Sequence, residues 1–313
     1  FSLPMAWMNQ TLVTEFFVQG FSEAPHLRFL FFFLFLSLYT VALSGNILIF
    51  VTISFNSTLH TPMYFFLVNL AVVDVLCTST ILPKLLENMM GRKTISFAGC
   101  MAQLYFFTWS LGAELLLFTA MAYDRYVAIC HPLHYSTMMS KKVCLLLSTG
   151  VWSISILNTS INSSLMFRLS FCHSNVVNHF FCEIPPLLKL SCTPTYLNET
   201  MAFTADVFLA VGNFIITMLS YACIISSILK IRTTEGKKRA FSTCSSHLIV
   251  VSMYYSTVIY TYIRPSSSYS LDKDKIVSVI YTSVAPTLNP LIYTLRNKEV
   301  KAGLKKVFSF FKR

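Results

Sequence analysis

The sequence contains very little charge for its length. Asp, Glu, Lys and Arg make up 12% of its 313 residues, whereas 55% are apolar and the mean hydropathy is positive. Soluble domains carry roughly a quarter of their residues as charged groups, so this composition excludes an ordinary soluble domain. The sequence therefore predicts a membrane protein.

The sequence also lacks two features that would indicate a transporter or a membrane enzyme. No internal repeat is visible, although many transporters are built from inverted repeats with broken helices around a central site. No pair of catalytic groups falls on one membrane face, which argues against a membrane enzyme. A channel or transporter is kept only as an alternative.

Long stretches with few charges are the main positive feature. A helix needs about 20 mostly apolar residues to cross a membrane, because lipid offers the backbone no hydrogen-bond partner. Three stretches have no charge, and four others each contain one titratable group: Asp74, Glu114, Asp206 or His247. Such groups usually face the interior of a bundle. The predicted spans are approximately 27–55, 60–86, 97–129, 142–167, 200–231, 239–263 and 274–296.

The distribution of Lys and Arg predicts the orientation, since these residues accumulate on the cytoplasmic side. With residues 1–26 outside the cell, the cytoplasmic segments contain fifteen basic and three acidic residues. This bias accounts for the isoelectric point of about 9.2, so no nucleic-acid binding is needed to explain it. Segment 168–199 becomes a long extracellular loop, and Asn9 becomes an extracellular glycosylation acceptor.

The C-terminal segment 297–313 is predicted to be a cytoplasmic tail. Apolar residues recur in it at helical spacing, and lysines lie elsewhere around the turn. This pattern predicts an amphipathic helix on the lipid of the inner leaflet. Its apolar face consists of Val300, Leu304, Val307, Phe308 and Phe311.

Four of the nine cysteines are predicted to lie on the extracellular side: Cys100, Cys172, Cys182 and Cys192. Clustered extracellular cysteines usually form disulfides, and four of them allow three pairings that the sequence does not resolve. A metal site that combines them with His173 and His179 is the alternative.

Short motifs at the ends of the spans narrow the choice among seven-helix proteins. MAYDRYVAICHPLHY (121–135) ends the third span, and SVAPTLNPLIYTLRN (283–297) ends the seventh. The first span contains Gly45-Asn46, and the second opens with PMYFFLVNLAVVD (62–74). Together they resemble the rhodopsin-like G-protein-coupled receptors, which implies an all-α membrane protein with a single seven-transmembrane helix bundle.

Further motifs resemble the olfactory receptors in particular. They are LHTPMYFF (59–66), Ser220-Tyr221, RAFSTCSSHL (239–248) and HFFCEIPPLLKLSC (179–192). The resemblance implies a multi-pass receptor of the plasma membrane that binds small volatile odorants and activates a stimulatory heterotrimeric G protein. It also implies the disulfides Cys100–Cys182 and Cys172–Cys192.

A non-olfactory rhodopsin-like receptor for a small molecule is the other alternative. Receptors for amines resemble this chain in outline, but they carry an aspartate near the position of Phe107. The sequence has no aspartate there.

The resemblance also assigns the residues that switch the receptor on. Asp124 and Arg125 are adjacent charges at the cytoplasmic end of the third span, where an ion pair would hold Arg125 at rest. On release, Arg125 would extend toward the C-terminal helix of the G-protein α-subunit. Tyr221 and Tyr293 would then move in to stabilise the open state.

Two residues are predicted to pass the signal along the bundle. Tyr255 of the sixth span would sense how the ligand packs. Pro290 lacks a backbone donor inside the seventh span, so it would kink that helix and provide a pivot.

A polar cluster is predicted near the membrane centre, where Asn46, Asp74 and Asn289 lie at similar depths. Glu114 lies ten residues before Asp124, nearly three helical turns deeper, and shares that region. Two carboxylates at low dielectric need a counter-charge or a proton. A sodium ion at Asp74 and Glu114 is one hypothesis and a single shared proton is the other; no other cofactor is implied.

The resemblance places the ligand pocket in the outer half of the bundle, under the 168–199 loop. Asp206 within it is either a recognition group for a ligand or a structural acid paired with Arg264 or Lys275. The pocket residues carried over are Phe107, Thr108, Leu111, Gly112, Ala205, Asp206, Leu209, Val258, Ile259, Tyr262, Val279 and Thr282.

Overall fold

The chain folds into a helical bundle with a small extramembrane cap. The computed structural model describes residues 13–21, 24–172, 174–263, 271–296 and 298–311. Its helices are α1 (Pro25–Phe55), α2 (Pro62–Met89), α3 (Phe97–Cys130), α4 (Tyr135–Met138), α5 (Lys141–Met166), α6 (Ile184–Leu188), α7 (Tyr196–Asp206), α8 (Asn213–Lys230), α9 (Thr234–Tyr262), α10 (Leu271–Val279), α11 (Ala285–Arg296) and α12 (Lys298–Phe311).

Two of the spans contain a π-helical segment. Val207–Gly212 joins α7 to α8, and Ile280–Val284 joins α10 to α11. The seven predicted spans therefore correspond to α1, α2, α3, α5, α7 with α8, α9, and α10 with α11. Because π-helical turns are rare and concentrate at functional sites, both segments mark regions of interest.

The starts of the long helices follow from local sequence. Pro25 and Pro62 occupy the first turns of α1 and α2, where a missing N–H leaves no hydrogen bond unmade. Ser96 and Ser140 cap α3 and α5, because each side chain accepts a hydrogen bond from the backbone N–H three residues later.

Six of the spans are long and apolar enough to cross a membrane within the described residues. The remaining one is α9, whose first turns include Glu235, Lys237 and Lys238. Both α7 and α9 begin a few residues before the predicted spans, at Tyr196 and Thr234. Each of these helices includes polar turns before its apolar stretch, so the apolar stretch alone does not mark where the helix begins.

The central helix of the bundle is α3. It contacts α2, α5, α8 and α9, while α1 contacts both α2 and α11. Apolar side chains also cover the outside, and Phe29 and Phe33 of α1 are 69% and 64% exposed. So much exposed apolar surface is expected only where lipid surrounds the helices.

A three-stranded sheet lies over one end of the bundle. Its central strand β1 (Glu15–Val18) pairs antiparallel with β2 (Thr94–Ser96) and parallel with β3 (Val176–Val177). Phe16 of β1 is fully buried and packs its ring against Phe97 and Phe171. The segment before α1 is thus fastened to the loops that precede α3 and follow α5.

Both disulfides implied by the resemblance are formed at this end. Cys100 is bonded to Cys182, and Cys172 to Cys192. The alternative metal site on these four cysteines is therefore excluded, since all their thiols are bonded to one another. His173 and Asn9 lie outside the described residues.

The predicted C-terminal amphipathic helix is confirmed as α12. Val300 and Val307 are buried against the bundle, whereas Lys301 and Lys305 are exposed. Its first turn is fastened to α2, because the Tyr64 hydroxyl of α2 donates to a carboxylate oxygen in that turn at 2.9 Å. The side chains of Phe308 and Phe311 are outside the described part of the structure.

Candidate functional site

A cavity of about 800 Å³ opens beneath the 168–199 loop. Its walls come from α3, α5, α7 and the end of α9, and the loop forms its roof. Residues of α3 and α5 in the lining are Phe107, Thr108, Leu111, Asn158 and Asn162. The rest of the lining is Glu183, Ile184, Pro185, Leu188, Lys189, Thr195, Tyr196, Glu199, Thr200, Ala202, Phe203, Ala205, Asp206, Tyr262 and Ile263.

Half of the predicted pocket residues line this cavity. They are Phe107, Thr108, Leu111, Ala205, Asp206 and Tyr262. The others, Gly112, Leu209, Val258, Ile259, Val279 and Thr282, lie outside its lining. Gly112 faces α5, where a Cβ would lie 3.4 Å from the Ser155 Cβ. Val258 and Thr282 are buried in the packed interior.

The 168–199 loop occupies space between α9 and α10 that was predicted to hold the ligand. The Phe181 ring lies 4.8 Å from the Phe107 ring, and the Tyr281 ring lies on the other side of Phe107 at 6.3 Å. Glu183 accepts hydrogen bonds from the hydroxyls of Tyr262 and Tyr281. The open volume is therefore displaced toward α5 and α7.

Glu183 is the most enclosed acid of the loop, with 3% of its surface exposed. Burial raises the pKa of Glu183 to about 7, and the hydrogen bonds from Tyr262 and Tyr281 only partly oppose this shift. The neighbouring His179 lies 3.6 Å away, and burial followed by the charge of Lys275 lowers its pKa to about 3. Between these pKa values both groups are neutral, so their contact is not an ion pair.

This environment predicts a pH-dependent stability that Glu183→Gln should remove. The folded receptor retains a proton on Glu183 up to about pH 7, whereas the unfolded chain releases it near pH 4.5. The stability from this group is therefore complete below about pH 4.5 and is lost as the pH rises through about 7. The free energy of unfolding that Glu183 contributes changes by at most about 1.4 kcal/mol per pH unit.

The measurement is the thermal midpoint of purified wild type and Glu183→Gln across this pH range. Wild type should lose stability relative to the variant as the pH rises. A midpoint difference that stays constant from pH 4.5 to 7.5 would contradict the assignment.

Asp206 ends α7 and borders the cavity. The residue is half-buried. Neither a hydrogen bond nor an ion pair reaches it from the described residues. Lys275, one of its two predicted partners, instead donates to the Gly20 carbonyl at 3.0 Å. Arg264, the other, lies outside the described residues.

The polar cluster forms at the membrane centre. Asn289 donates to both carboxylate oxygens of Asp74 at 3.0 and 3.1 Å. Asn46 instead donates to the Pro286 carbonyl at 3.1 Å, so it anchors α1 to α11 rather than to Asp74. Glu114 is fully buried close enough to act electrostatically on Asp74. Among the described residues neither of its oxygens forms a hydrogen bond of ordinary geometry, although the Tyr254 hydroxyl and the Asn289 amide lie near enough to interact with it.

The expected ion pair between Asp124 and Arg125 is absent from the described residues. The Asp124 carboxylate instead accepts a hydrogen bond from the Tyr135 hydroxyl at 2.7 Å. The Arg125 guanidinium contacts the sulfur of Met63 on α2. Consecutive residues on a helix point in directions about 100° apart, so they do not face one another.

The two tyrosines of the predicted switch are buried near Arg125 without contacting it. Tyr221 on α8 forms a hydrogen bond with Nδ1 of His247 on α9, and their rings stack at 5.8 Å. The hydroxyl of Tyr293 on α11 is buried and has no hydrogen-bond partner among the described residues. Because that hydroxyl is unsatisfied, a rearrangement that gives it a hydrogen bond would be favourable.

Tyr255 links three spans below the cavity. Its hydroxyl donates to the Leu115 carbonyl at 2.9 Å and pairs with Thr119 at 3.2 Å, and its ring packs on Phe214 of α8. It is fully buried and outside the cavity lining, so its predicted sensing role would have to act through neighbouring side chains.

Pro290 lies inside α11, as predicted, and against α1. A Cβ at Gly45 would lie 2.9 Å from the Pro290 Cγ. Glycine at position 45 therefore permits the close approach of α1 to the proline.

Comparison with known proteins identifies the family to which this chain belongs. Residues 35–310 match the family described as olfactory receptor. The chain is 56% identical over 306 residues to human olfactory receptor 13G1, covering 97% of this chain and 100% of that protein. It is 58% identical over 310 residues to human olfactory receptor 13A1, covering 99% and 94%. Mouse olfactory receptor 5AR1 is 50% identical over 300 residues, covering 96% and 97%.

The chain belongs to the olfactory receptor family. This family consists of seven-helix G-protein-coupled receptors, which are not enzymes, so the bundle is that of a multi-pass membrane receptor. The cavity and the charges of Asp124 and Arg125 then lie at the two ends of one receptor.

Three residues of this olfactory receptor contribute to these sites without having been assigned a role from sequence. Glu183 follows Cys182 directly, so the loop disulfide could have indicated that it points into the bundle. His247 is the one titratable group of its span, which could have indicated an interior partner. Tyr135 closes the MAYDRYVAICHPLHY motif but carries no distinguishing signal of its own.

Proposed function

We propose that this receptor binds small volatile odorants in the 800 Å³ cavity and activates a stimulatory heterotrimeric G protein at the opposite face. The supporting observation is that α3 contributes to both ends. Its residues Phe107 and Leu111 line the cavity, and its residues Asp124 and Arg125 lie at the other end. Leu111 and Asp124 are separated along the helix by about 20 Å, so one helix can couple the two sites.

The lining suits small, mainly apolar ligands. Phe107, Leu111, Phe203 and Ala205 offer apolar surface, while Thr108 supplies one hydroxyl. A volatile molecule has few atoms, so buried area and one or two hydrogen bonds limit its binding free energy. Affinities in the micromolar range or weaker are therefore expected.

The proposed orientation has the N-terminal segment outside the cell at the plasma membrane. Strand β1 lies at the same end of the bundle as both disulfides, and disulfides persist in the oxidising extracellular environment. The lysines of α12 lie at the other end, where they would meet the anionic lipid of the inner leaflet.

The test is to measure ligand-dependent cyclic AMP and ligand-dependent membrane current in cells that lack other channels. A panel of volatile acids, aldehydes, alcohols and amines serves as ligand. We expect a rise in cyclic AMP that requires the stimulatory α-subunit. A current that persists without any G protein would instead support a channel and contradict the proposal.

The counter-charge of the polar cluster is proposed to be a sodium ion at Asp74 and Glu114, with a shared proton as the alternative. The support is that Glu114 is buried beside a second carboxylate and that neither of its oxygens forms a hydrogen bond of ordinary geometry among the described residues. Sodium should therefore alter odorant potency in wild type and not in Glu114→Gln. Equal sodium dependence in both would exclude Glu114 as an ion ligand.

A further inference from the structure

The charge of the cavity lining is unbalanced. Three acids line it, Glu183, Glu199 and Asp206, against one basic residue, Lys189. Glu183 lies close enough to Asp206 to act on it electrostatically when it is ionised. An apolar ligand alone would leave the imbalance of charge in place.

Asp206 is the acid whose environment calls for a ligand. Asp206 is half-buried, it borders open volume, and no described residue donates to its carboxylate. A carboxylate that lacks a donor beside apolar side chains is stabilised by a cation that enters the cavity. Glu183, by contrast, already accepts two tyrosine hydroxyls.

Aromatic residues in the same cavity lining fit the same kind of ligand. Phe107 and Tyr262 line the cavity from α3 and α9, and Phe203 lies one turn before Asp206 on α7. The face of an aromatic ring attracts a cation within about 6 Å, so these rings can contact an ammonium group and its alkyl chain together.

From this geometry we infer that the cavity selects protonated volatile amines, with Asp206 as counter-ion. The inference rests on the proposed function and names the ligand class of its site. The anionic partner comes here from the fifth span, so the absence of an aspartate near Phe107 does not argue against an amine ligand.

The ammonium group would donate charge-assisted hydrogen bonds to the Asp206 carboxylate, which are stronger than bonds between neutral groups. An alcohol of the same carbon skeleton keeps the apolar contacts but carries no charge. We therefore expect wild type to respond to amines at concentrations about 10- to 100-fold lower than to the matched alcohols.

The experiment compares straight-chain and phenylalkyl amines with alcohols of identical skeleton on wild type and Asp206→Asn. Cyclic AMP reports signalling, and the thermal midpoint of the purified receptor reports binding independently. Asparagine keeps the size of the side chain and removes its charge. Amine potency should fall about 10- to 100-fold in the variant, while alcohol potency should change less than about threefold.

Glu199→Gln is the comparison variant, because it removes the same charge from an exposed residue of the lining. If amines are attracted only by the general negative field, this variant should affect them as much as Asp206→Asn does. If Asp206 contacts the ammonium group, the effect of Glu199→Gln should be several times smaller.

The outcomes separate the inference from the proposed function. Equal shifts for amines and alcohols in Asp206→Asn, or equal wild-type potency for both, would overturn amine selection while odorant signalling stands. Amines that raise the thermal midpoint through Asp206 without raising cyclic AMP would support the inference and contradict the signalling proposal. No stabilisation by any amine would overturn the inference whatever the signalling result.

Discussion

Replacing Arg125 with alanine is expected to abolish odorant-stimulated G-protein activation while surface delivery stays close to that of wild type. Arg125 lies at the end of α3 far from the cavity, where its guanidinium contacts the sulfur of Met63. A thioether is a weak acceptor, so this contact holds the charge much less firmly than a carboxylate would. The guanidinium is thus available to a partner that offers stronger acceptors.

The C-terminal end of a helix in the G-protein α-subunit is such a partner. Its last carbonyls are unpaired and carry partial negative charge, which favours a nearby cation. Alanine removes both the donors and the charge, so the loss of stimulated cyclic AMP should be nearly complete. The fold should persist, because Arg125 is only partly buried and forms no ion pair with Asp124.

Lys142→Ala is the matched control for this prediction. Lys142 is an exposed cation in the first turn of α5, on the same face of the bundle as Arg125. Its loss tests whether any positive charge on this face supports coupling. Cyclic AMP is measured at matched surface levels, determined by labelling intact cells. Undiminished signalling in Arg125→Ala, or an equal loss in Lys142→Ala, would contradict the assignment.

The features predicted most accurately from the sequence are those that short motifs and helical periodicity determine. The apolar stretches indicated the spans, and the spacing of Val300, Leu304 and Val307 indicated α12, because each pattern follows directly from helix geometry. The contact of Asp74 with Asn289 followed from comparable depths in two spans. Such features depend on position along a helix, which the sequence contains.

The orientation of side chains was less predictable where the helix is irregular. The predicted fifth span, residues 200–231, treats Asp206 and Tyr221 as parts of one continuous α-helix. The π-helical segment Val207–Gly212 lies between them and adds about one residue to the turn, which rotates the preceding part by about 100°. Leu209 lies within this segment and outside the cavity lining.

The position of the cavity could not be predicted because it depends on the path of a long loop. The position of Glu183 next to Cys182 could indicate that it points into the bundle, but nothing local in the sequence indicates that Phe181 lies against Phe107 or that Glu183 lies against Tyr281. Likewise, the pairing of Asp124 with Tyr135 requires the short helix α4 to fold back toward α3. Both arrangements depend on tertiary contacts. The first joins segments that are far apart in the sequence, and the second requires a sharp turn of the chain.

Breaking the disulfide between Cys100 and Cys182 should cause the largest loss of surface delivery among substitutions at the cavity end of the bundle. Both cysteines are fully buried, and their bond closes a loop of 82 residues between α3 and the roof of the cavity. Restricting a loop of that length in the unfolded chain stabilises the fold by about 4.5 kcal/mol in the chain-entropy account. Cys182 also fixes the position of Glu183, and its N–H donates to Gln103 at 2.8 Å.

Cys172 and Cys192 provide a graded comparison within the same loop. Their bond spans only 20 residues and Cys172 is exposed, so its loss should cost less, about 3 kcal/mol. The expected order of surface delivery is wild type, then Cys172→Ser, then Cys100→Ser and Cys182→Ser at similar low levels. Surface labelling of intact cells, normalised to total receptor, measures each level.

The double variant Cys100→Ser with Cys182→Ser tests the pairing itself. Each single substitution already breaks the one bond that both residues form, so the second should remove nothing further. The double variant should therefore reach the surface no less well than either single variant. Additive losses would show that Cys100 and Cys182 act through different partners, whereas equal losses identify one shared bond that holds the loop over the cavity.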